Sequence, residues 1–490
     1  MAKVTAVIDI GSNSVRMAVF ERTSRYGFHL LREAKARVRI SENAWKNGGE
    51  LQEAAMQRAQ EALADFVQIA QAFKARRVLA VATSAVRDAP NRELFLRRVR
   101  QRCGLQIRVI EGQEEARLGG LAAANLLPVR EGVSIDIGGG STELALIENG
   151  QVRDCLSYPL GTVRLKELFF DGTPDVKGAL RYVSRTLQDL PENFRGKPLI
   201  GVGGTLRALA NVLMKKENYP FEVLHAYRFN LADQRHFLAD IIRANPTRLK
   251  QIGFKAERLD VIREGVLILT RVARKLGSGC TITSGVGVRE GLYLQQLLRG
   301  AGLRLPPGTQ PSLESLQDRF GVHPPLARWL AHTAVDLFET LAPMHRIDPA
   351  YRYPLAHAAR LLTVGDYLNH YERARNGYMI TLGGLAYGYE HGDRILIATL
   401  IRAQQKKALS SFIPHPKMAR LLPSSVTLRW LALCIYLANT LNTCRSRPSV
   451  RFELIGRTLH IHLPQEVGSI TEASLEGIKP PFGLRLKLVR

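Results

Sequence analysis

A short stretch of this chain occurs twice, and that repeat limits the folds open to it. The first copy reads Val7-Ile8-Asp9-Ile10-Gly11-Ser12-Asn13-Ser14 and continues Val15-Arg16-Met17-Ala18-Val19-Phe20-Glu21. The second reads Ser134-Ile135-Asp136-Ile137-Gly138-Gly139-Gly140-Ser141 and continues Thr142-Glu143-Leu144-Ala145-Leu146-Ile147-Glu148. Asp, Ile, Gly, Ser, Ala and Glu recur in register. Each copy has the pattern of a β-strand, a tight turn of small residues and a second β-strand. A duplicated hairpin that opens two segments predicts two related domains.

The intervening pattern gives their class. An amphipathic helix is expected over 51–74, a strand over 77–82, a basic helix over 91–102 and a strand over 106–110. A second Ala/Leu-rich helix opens at Glu111. Strands alternating with helices predict a layered α/β domain over 1–127. The same logic places a second over 128–302, with a strand at 198–202 running into Gly203-Gly204-Thr205, a long helix over 259–276 and a strand at 281–283. A Gly/Pro-rich linker is expected at 300–311, then an all-helical domain over 312–446 and a small β-rich extension over 447–490. With 490 residues the chain is too long for a single core.

The formal net charge is +25, from 69 Lys and Arg against 44 Asp and Glu. Such an excess suits a polyanionic partner, although charge alone does not choose among nucleic acid, an anionic surface and a phosphate polymer. The five cysteines, Cys103, Cys155, Cys280, Cys434 and Cys444, are scattered and include no CxxC. Neither a disulfide framework nor a zinc site is expected, and the chain suits a reducing cytoplasm. No signal peptide and no membrane span are expected.

Phosphate binding requires several donors at short range, and glycine turns let backbone N–H groups supply them. Four such turns occur, at 11–14, 138–142, 203–205 and 284–287, the third opening a helix. None is a Walker A loop or a GxGxxG dinucleotide turn. The candidate donors are Ser12, Asn13, Ser14, Gly138, Gly139, Gly140, Ser141, Gly203, Gly204 and Thr205. Asp9 and Asp136 end the first strand of each hairpin, where they either bind a metal or fix their own turn.

These hairpins resemble those of the actin, sugar-kinase and heat-shock-chaperone superfamily. Within it, Asp9–Ser14, Thr83-Ser84-Ala85-Val86-Arg87, Gly112-Gln113-Glu114-Glu115-Ala116-Arg117, Asp136–Glu143 and Val288-Arg289-Glu290-Gly291 resemble the exopolyphosphatase / guanosine-pentaphosphatase family. The resemblance implies two ribonuclease-H-like (actin-like ATPase) domains with a cleft between them, followed by a helical HD-like domain. It makes Glu115 the general base that prepares the attacking water, with Glu114 a close competitor by position. From the residue alone, Glu115 reads equally well as a helix-start acid. Asp136 and Glu143 are the implied Mg²⁺ ligands, and Arg87 and Asp9 the implied substrate contacts. Arg289 and Glu290 read as helix-start residues lining the cleft.

The helical domain departs from the HD pattern. Leu361-Leu362-Thr363-Val364-Gly365-Asp366 lacks the His-Asp pair, so no second metal site is expected there. Arg394, Arg402, Lys406 and Lys407 are instead candidates for a polyanion track, or an ordinary solvated face, and the domain for a homodimer contact. The implied reaction is release of terminal phosphate from inorganic polyphosphate. Guanosine pentaphosphate is the alternative substrate, and a nonenzymatic actin-like nucleotide binder is the alternative class.

Overall fold

A computed structural model describes residues 3–44, 47–171, 173–404 and 417–490. The chain forms two compact units, Met1–Thr309 and Gln310–Arg490.

The first unit contains two sheets. Strands β1 (Lys3–Ile10), β2 (Val15–Arg22), β3 (Phe28–Ala36), β4 (Arg77–Ala82) and β5 (Arg108–Val109) assemble in the order β3-β2-β1-β4-β5. Strands β6 (Gly132–Ile137), β7 (Thr142–Glu148), β8 (Gln151–Tyr158), β9 (Leu199–Val202), β10 (Arg228–Asn230) and β11 (Cys280–Thr283) assemble as β10-β11-β9-β6-β7-β8. Read from its third strand, the second sheet repeats the order of the first and adds β10 at one edge. In both, the hairpin pairs antiparallel and its first strand pairs parallel to the strand after a crossover.

The repeat therefore holds at the level of hydrogen bonds. Asp9 stands opposite Arg16, and Asp136 opposite Glu143. Each turn is closed by its glycine N–H donating to the serine carbonyl, Gly11 to Ser14 at 3.2 Å and Gly138 to Ser141 at 2.9 Å. Alternate residues of the strands, such as Ile8, Ile10, Met17 and Val19, enter a core with Leu63 and Phe66 of the helix Glu53–Ala72. The second sheet packs Ile135, Ile137 and Leu144 against Leu206, Leu209 and Val266 of two helices, Gly203–Lys216 and Ile262–Leu276. These cores anchor the strand ends, so the turns after β1 and β6 are held rigidly.

One expected element starts late. The helix expected from Leu259 starts only at Ile262, and a short 3₁₀ turn, Ala256–Arg258, precedes it. That break brings Arg258 to the N-terminal end of the helix Gly203–Lys216, as described below.

In the second unit the helices Pro324–Thr340, Arg352–Arg360, His391–Arg402 and Ser425–Leu441 share one core that includes Leu337, Leu355, Leu396 and Leu433. Strands β12 (Arg451–Ile455), β13 (Thr458–His462) and β14 (Arg485–Val489) form a sheet whose Leu459 and Ile461 enter that same core. The C-terminal strands are thus built into the helical unit. A three-stranded sheet needs such an apolar partner to be stable.

Two sequence expectations fall in this unit. Arg394 is only 8% exposed, and its guanidinium donates to the carbonyls of Leu382 (2.8 Å) and Gly383 (3.2 Å). It ties off the end of the helix Arg373–Gly384, and burial lowers its pKa to about 10. Its place in a polyanion track is therefore corrected: the side chain is buried and turned toward these carbonyls, not toward solvent. Arg402 is exposed, with its guanidinium 5.5 Å from the Tyr378 ring centre. Lys406 and Lys407 lie outside the described residues.

His357 is buried in the same unit, and its Nδ1 lies 2.9 Å from the Tyr389 hydroxyl. Burial and the nearby Arg360 push its pKa down to about 3. The folded state thus favours the neutral ring. Stability is full above the unfolded pKa near 6.5 and falls as pH drops from there toward 3. The slope contributed by this group is at most about 1.4 kcal/mol per pH unit. Urea unfolding should show this acid slope, to which His345, also lowered by burial, adds, and His357→Gln should reduce it. The same slope in the variant would assign the acid sensitivity elsewhere.

Candidate active site

The two hairpin turns meet. A side-chain carbon on Gly139 would lie 2.7 Å from Ser12 Cβ, so only a glycine allows the approach. The Ser12 hydroxyl is also 3.4 Å from that of Ser84, at the end of β4. Between the turns lies a cavity of about 140 Å³. Asp9, Ser12, Asn13, Ser14, Glu115, Asp136, Gly138, Gly139, Gly203, Gly204 and Thr205 line it, eleven of the residues singled out by sequence. Gly140, Ser141, Glu143 and Arg87 do not reach its wall and stand behind it.

Glu115 projects into this cavity from the first turns of the helix Gly112–Leu126. The helix separates it from its neighbour. Glu114 pairs with Arg108 (2.6 Å) and Arg117 (3.5 Å). Consecutive helical residues point in different directions, so only one of the two can face the cleft. Glu115, and not Glu114, is the one that lines the cavity.

Four carboxyl groups line the cavity, Asp9, Glu115, Asp136 and Glu290, and Glu143 stands behind it. Burial, followed by the charges of Glu143, Asp9 and Asp136, raises the pKa of Glu115 well above the usual carboxylate range, against the opposing Arg87. Glu143 is 3% exposed and is pushed up to about 8 by burial and then by Asp136, although Ser141 and Ser157 donate to it. The Ser157 hydroxyl is 3.0 Å from its Oε1. Asp9 rises to about 6, chiefly through burial. Asp136 is raised for the same reason. Glu115 Oε2 and Glu143 Oε2 are buried without a hydrogen-bond partner. Buried acceptors in that state are costly, so a bound cation or donor would stabilise them.

These shifts fix the sign of a pH effect. A carboxyl with a raised folded pKa binds its proton more tightly in the folded state. Stability is therefore greatest below the unfolded value near 4.5 and falls as pH rises toward 8 at Glu143. In metal-free buffer the first unit should melt at lower temperature at pH 8 than at pH 5.5. Glu143→Gln should flatten the trend, and an unflattened trend would remove Glu143 as its source.

Arginines oppose the acids. Arg16, Arg207, Arg258 and Arg289 all line the cavity. Sequence reasoning missed the first three. Arg16 had a signal: a charge within the otherwise apolar Val15–Phe20 run, at the repeat position that Glu143 fills in the second copy. Arg207 follows the Gly203-Gly204-Thr205 turn by one helical step, and burial lowers its pKa to about 10. Arg258 had no local signal. Its guanidinium lies over Gly204, occupying the place where a side chain there would begin.

Arg289 and Glu290 play the expected structural part. Glu290 Oε2 accepts from Gly287 N–H (2.8 Å) at the start of the helix Val288–Leu297. Arg289 donates across the cleft to Glu33 (2.7 Å) and the Met17 carbonyl (3.4 Å). Arg37 and Arg39 reach Asp260 at 3.0 and 2.8 Å, and Lys35 reaches Glu257 at 3.1 Å. Together these contacts hold the two sheets' domains with their turns apposed. Arg87 bonds Asp88 (3.1 Å) and the Ile110 carbonyl (3.2 Å), and its guanidinium is 3.7 Å from Glu115 Oε2. It adjoins the candidate base and lies outside the cavity lining.

The duplicated sheet order and the phosphate-sized cleft between the copies give the first unit an actin-like fold. Residues 18–300 match the Ppx/GppA phosphatase family. The chain belongs to that family and is a phosphoanhydride hydrolase. It is 24% identical over 446 residues to a guanosine-5′-triphosphate,3′-diphosphate pyrophosphatase of Photobacterium profundum, covering 89% of this chain and 86% of that protein. It is similar to the solved Ppx/GppA family member of Aquifex aeolicus at 28% identity and a TM-score of 0.53, over 61% of this chain and 99% of that one. An exopolyphosphatase from Cytophaga hutchinsonii shares the fold, with 22% identity and a TM-score of 0.57, over 62% of this chain and all of that one (100%).

Proposed function

We propose that the protein releases terminal orthophosphate from inorganic polyphosphate. The observation that carries this reading is Glu115, which faces the cavity formed where the two turns meet and has one buried carboxyl oxygen with no hydrogen-bond partner, 3.7 Å from the Arg87 guanidinium. Backbone N–H groups of the turns, the hydroxyls of Ser12, Ser14 and Thr205, and the guanidinium groups of Arg16 and Arg258 receive the terminal phosphate. Positioned donors of this kind neutralise charge on the transferring group, the main requirement in phosphoryl transfer. Glu115 orients a water toward phosphorus and accepts its proton. The raised pKa makes the carboxylate a stronger acceptor once ionised.

Mg²⁺ belongs to the same proposal. Four mutually repelling carboxyl groups and two buried oxygens without hydrogen-bond partners fit a divalent cation. Asp136 and Glu143 would hold it, with Asp9 nearby. Among the described residues no three acidic, histidine or cysteine side chains converge as direct ligands. Mg²⁺ commonly retains several waters and is shared with substrate oxygens, which suits such a site. When bound it supplies Lewis-acid neutralisation of phosphate charge.

Polyphosphate is preferred because four arginines and no aromatic ring line the cavity among the described residues, so nothing in it stacks on a base. The +25 charge adds attraction along a polymer. Guanosine pentaphosphate is the second reading, favoured by the name of the Photobacterium relative. Phosphate release from long polyphosphate and from guanosine pentaphosphate, compared at equal Mg²⁺, decides between them. A higher kcat/KM on polyphosphate is expected, falling steeply with salt. A preference for the guanosine nucleotide would reverse the assignment.

The HD-like character of the helical unit, a homodimer and a cytoplasmic location complete the proposal. Exposed Tyr367, Leu368, Tyr371 and Met379 support a subunit contact, and five free cysteines support a reducing compartment. No helix among the described residues is long and apolar enough to cross a membrane.

A further inference from the structure

The second α/β domain carries another pocket, of about 600 Å³. Its walls are Leu180 from the helix Val176–Thr186, Leu238 and Ile242 from the helix Arg235–Arg243, and Ala273 from the helix Ile262–Leu276. Arg235, Arg243, Arg271 and Arg274 also line it, and among the described residues no acidic side chain does. Among the described residues none of these arginines forms an ion pair. Arg235 donates to His236 (3.3 Å), and the neighbouring Asp240 is engaged by Arg248 (2.9 Å).

Two demands therefore coincide at one place. Apolar walls open to water favour an apolar occupant, and unpaired guanidinium groups favour an anion. The volume lies in the range of small-molecule sites, roughly 300–1,000 Å³. Polyphosphate satisfies the arginines but leaves the leucine walls wet. A nucleotide requires a stacking face or several partners for its base edge. Among the described residues the lining has no aromatic ring, and Thr270 and Ser278 are its hydroxyl side chains.

We propose that this pocket binds a single-chain amphipathic anion, an acyl chain with a carboxylate or phosphate head. The chain lies along Leu180, Leu238 and Ile242, and the head meets the arginines at the rim. Nothing in this assignment depends on the reaction in the cleft between the hairpins.

Equilibrium dialysis of the full-length protein against laurate, dodecyl phosphate and dodecanol, each below its critical micelle concentration, tests it. Saturable one-site binding of the two anions is expected, with dodecanol at least tenfold weaker. The tighter anion identifies the head group. The double variant Arg243→Glu/Arg274→Glu should weaken binding at least tenfold. Ala239→Phe, which fills the apolar part, should do the same. Phosphate release at the wild-type rate in both variants would show that they fold. Absence of saturable binding would overturn the proposal, as would unchanged binding in both variants. So would retention on phosphatidylglycerol vesicles without binding of free laurate, which would make the patch a membrane contact.

Discussion

Glu115→Gln is expected to lower phosphate release about a thousandfold while polyphosphate binding stays within a factor of about three, the size of effect a lost general base gives. The substitution keeps the shape of the side chain and removes its ability to take a proton. It also removes one of four repelling carboxyl groups, so binding of the anionic substrate should not weaken. The paired readout is needed because a folding defect would lower both quantities together. Glu114→Gln, whose side chain pairs with Arg108 and Arg117 away from the cavity, should retain activity within a few-fold. Equal activity of the Glu115 variant and the wild type would remove this carboxylate from the chemistry.

Gly203→Ala should cost about a hundredfold in kcat/KM with little change in overall fold. Gly203 has φ of +80°, a conformation that strains any other residue by about 1–3 kcal/mol. A side chain at this position would also overlap the Asp136 carboxylate. Asp136 would have to swing out of the cavity, and displacements of about 1 Å at reacting groups can cost about a hundredfold. Steady-state kinetics and the Mg²⁺ concentration for half-maximal activity measure this directly. An alanine variant with unchanged values would mean that Asp136 has no role in holding substrate or metal.

The sequence was most informative where local pattern and chemistry coincide. Each hairpin carries its strand, turn and strand within a few residues, so β1–β2 and β6–β7 were legible, as were the glycines that close their turns. The same holds for Gly203-Gly204-Thr205, which opens a helix at a strand end. What escaped is brought in by tertiary packing. Arg258 ends a 3₁₀ turn just before the helix expected from Leu259 and reaches Gly204 from there, and no spacing in the sequence marks that turn. Arg207 sits in an ordinary amphipathic helix, and its partners, the Ser284 and Gly285 carbonyls and the nearby Asp136 and Glu290 carboxylates, come from distant parts of the chain.

Arg394 shows the opposite error. A basic residue on a helix reads as solvated, yet this one turns inward because the end of the helix Arg373–Gly384 presents free carbonyls. Arg87 was legible as a cation near the chemistry, but its distance to Glu115 and its bond to the Ile110 carbonyl are products of the fold. The choice of Glu115 over Glu114 likewise required the rotation of the helix Gly112–Leu126 relative to the cleft.

The central claim is that the two hairpin turns grip one terminal phosphate jointly. A crystal structure of Glu115→Gln with a short polyphosphate bound tests it most directly. The account predicts a terminal phosphorus whose oxygens lie within hydrogen-bonding distance of donors from both the Gly11–Ser14 and Gly138–Ser141 turns, with residue 115 beside it. A terminal phosphate held by one turn alone, or lodged away from residue 115, would contradict it.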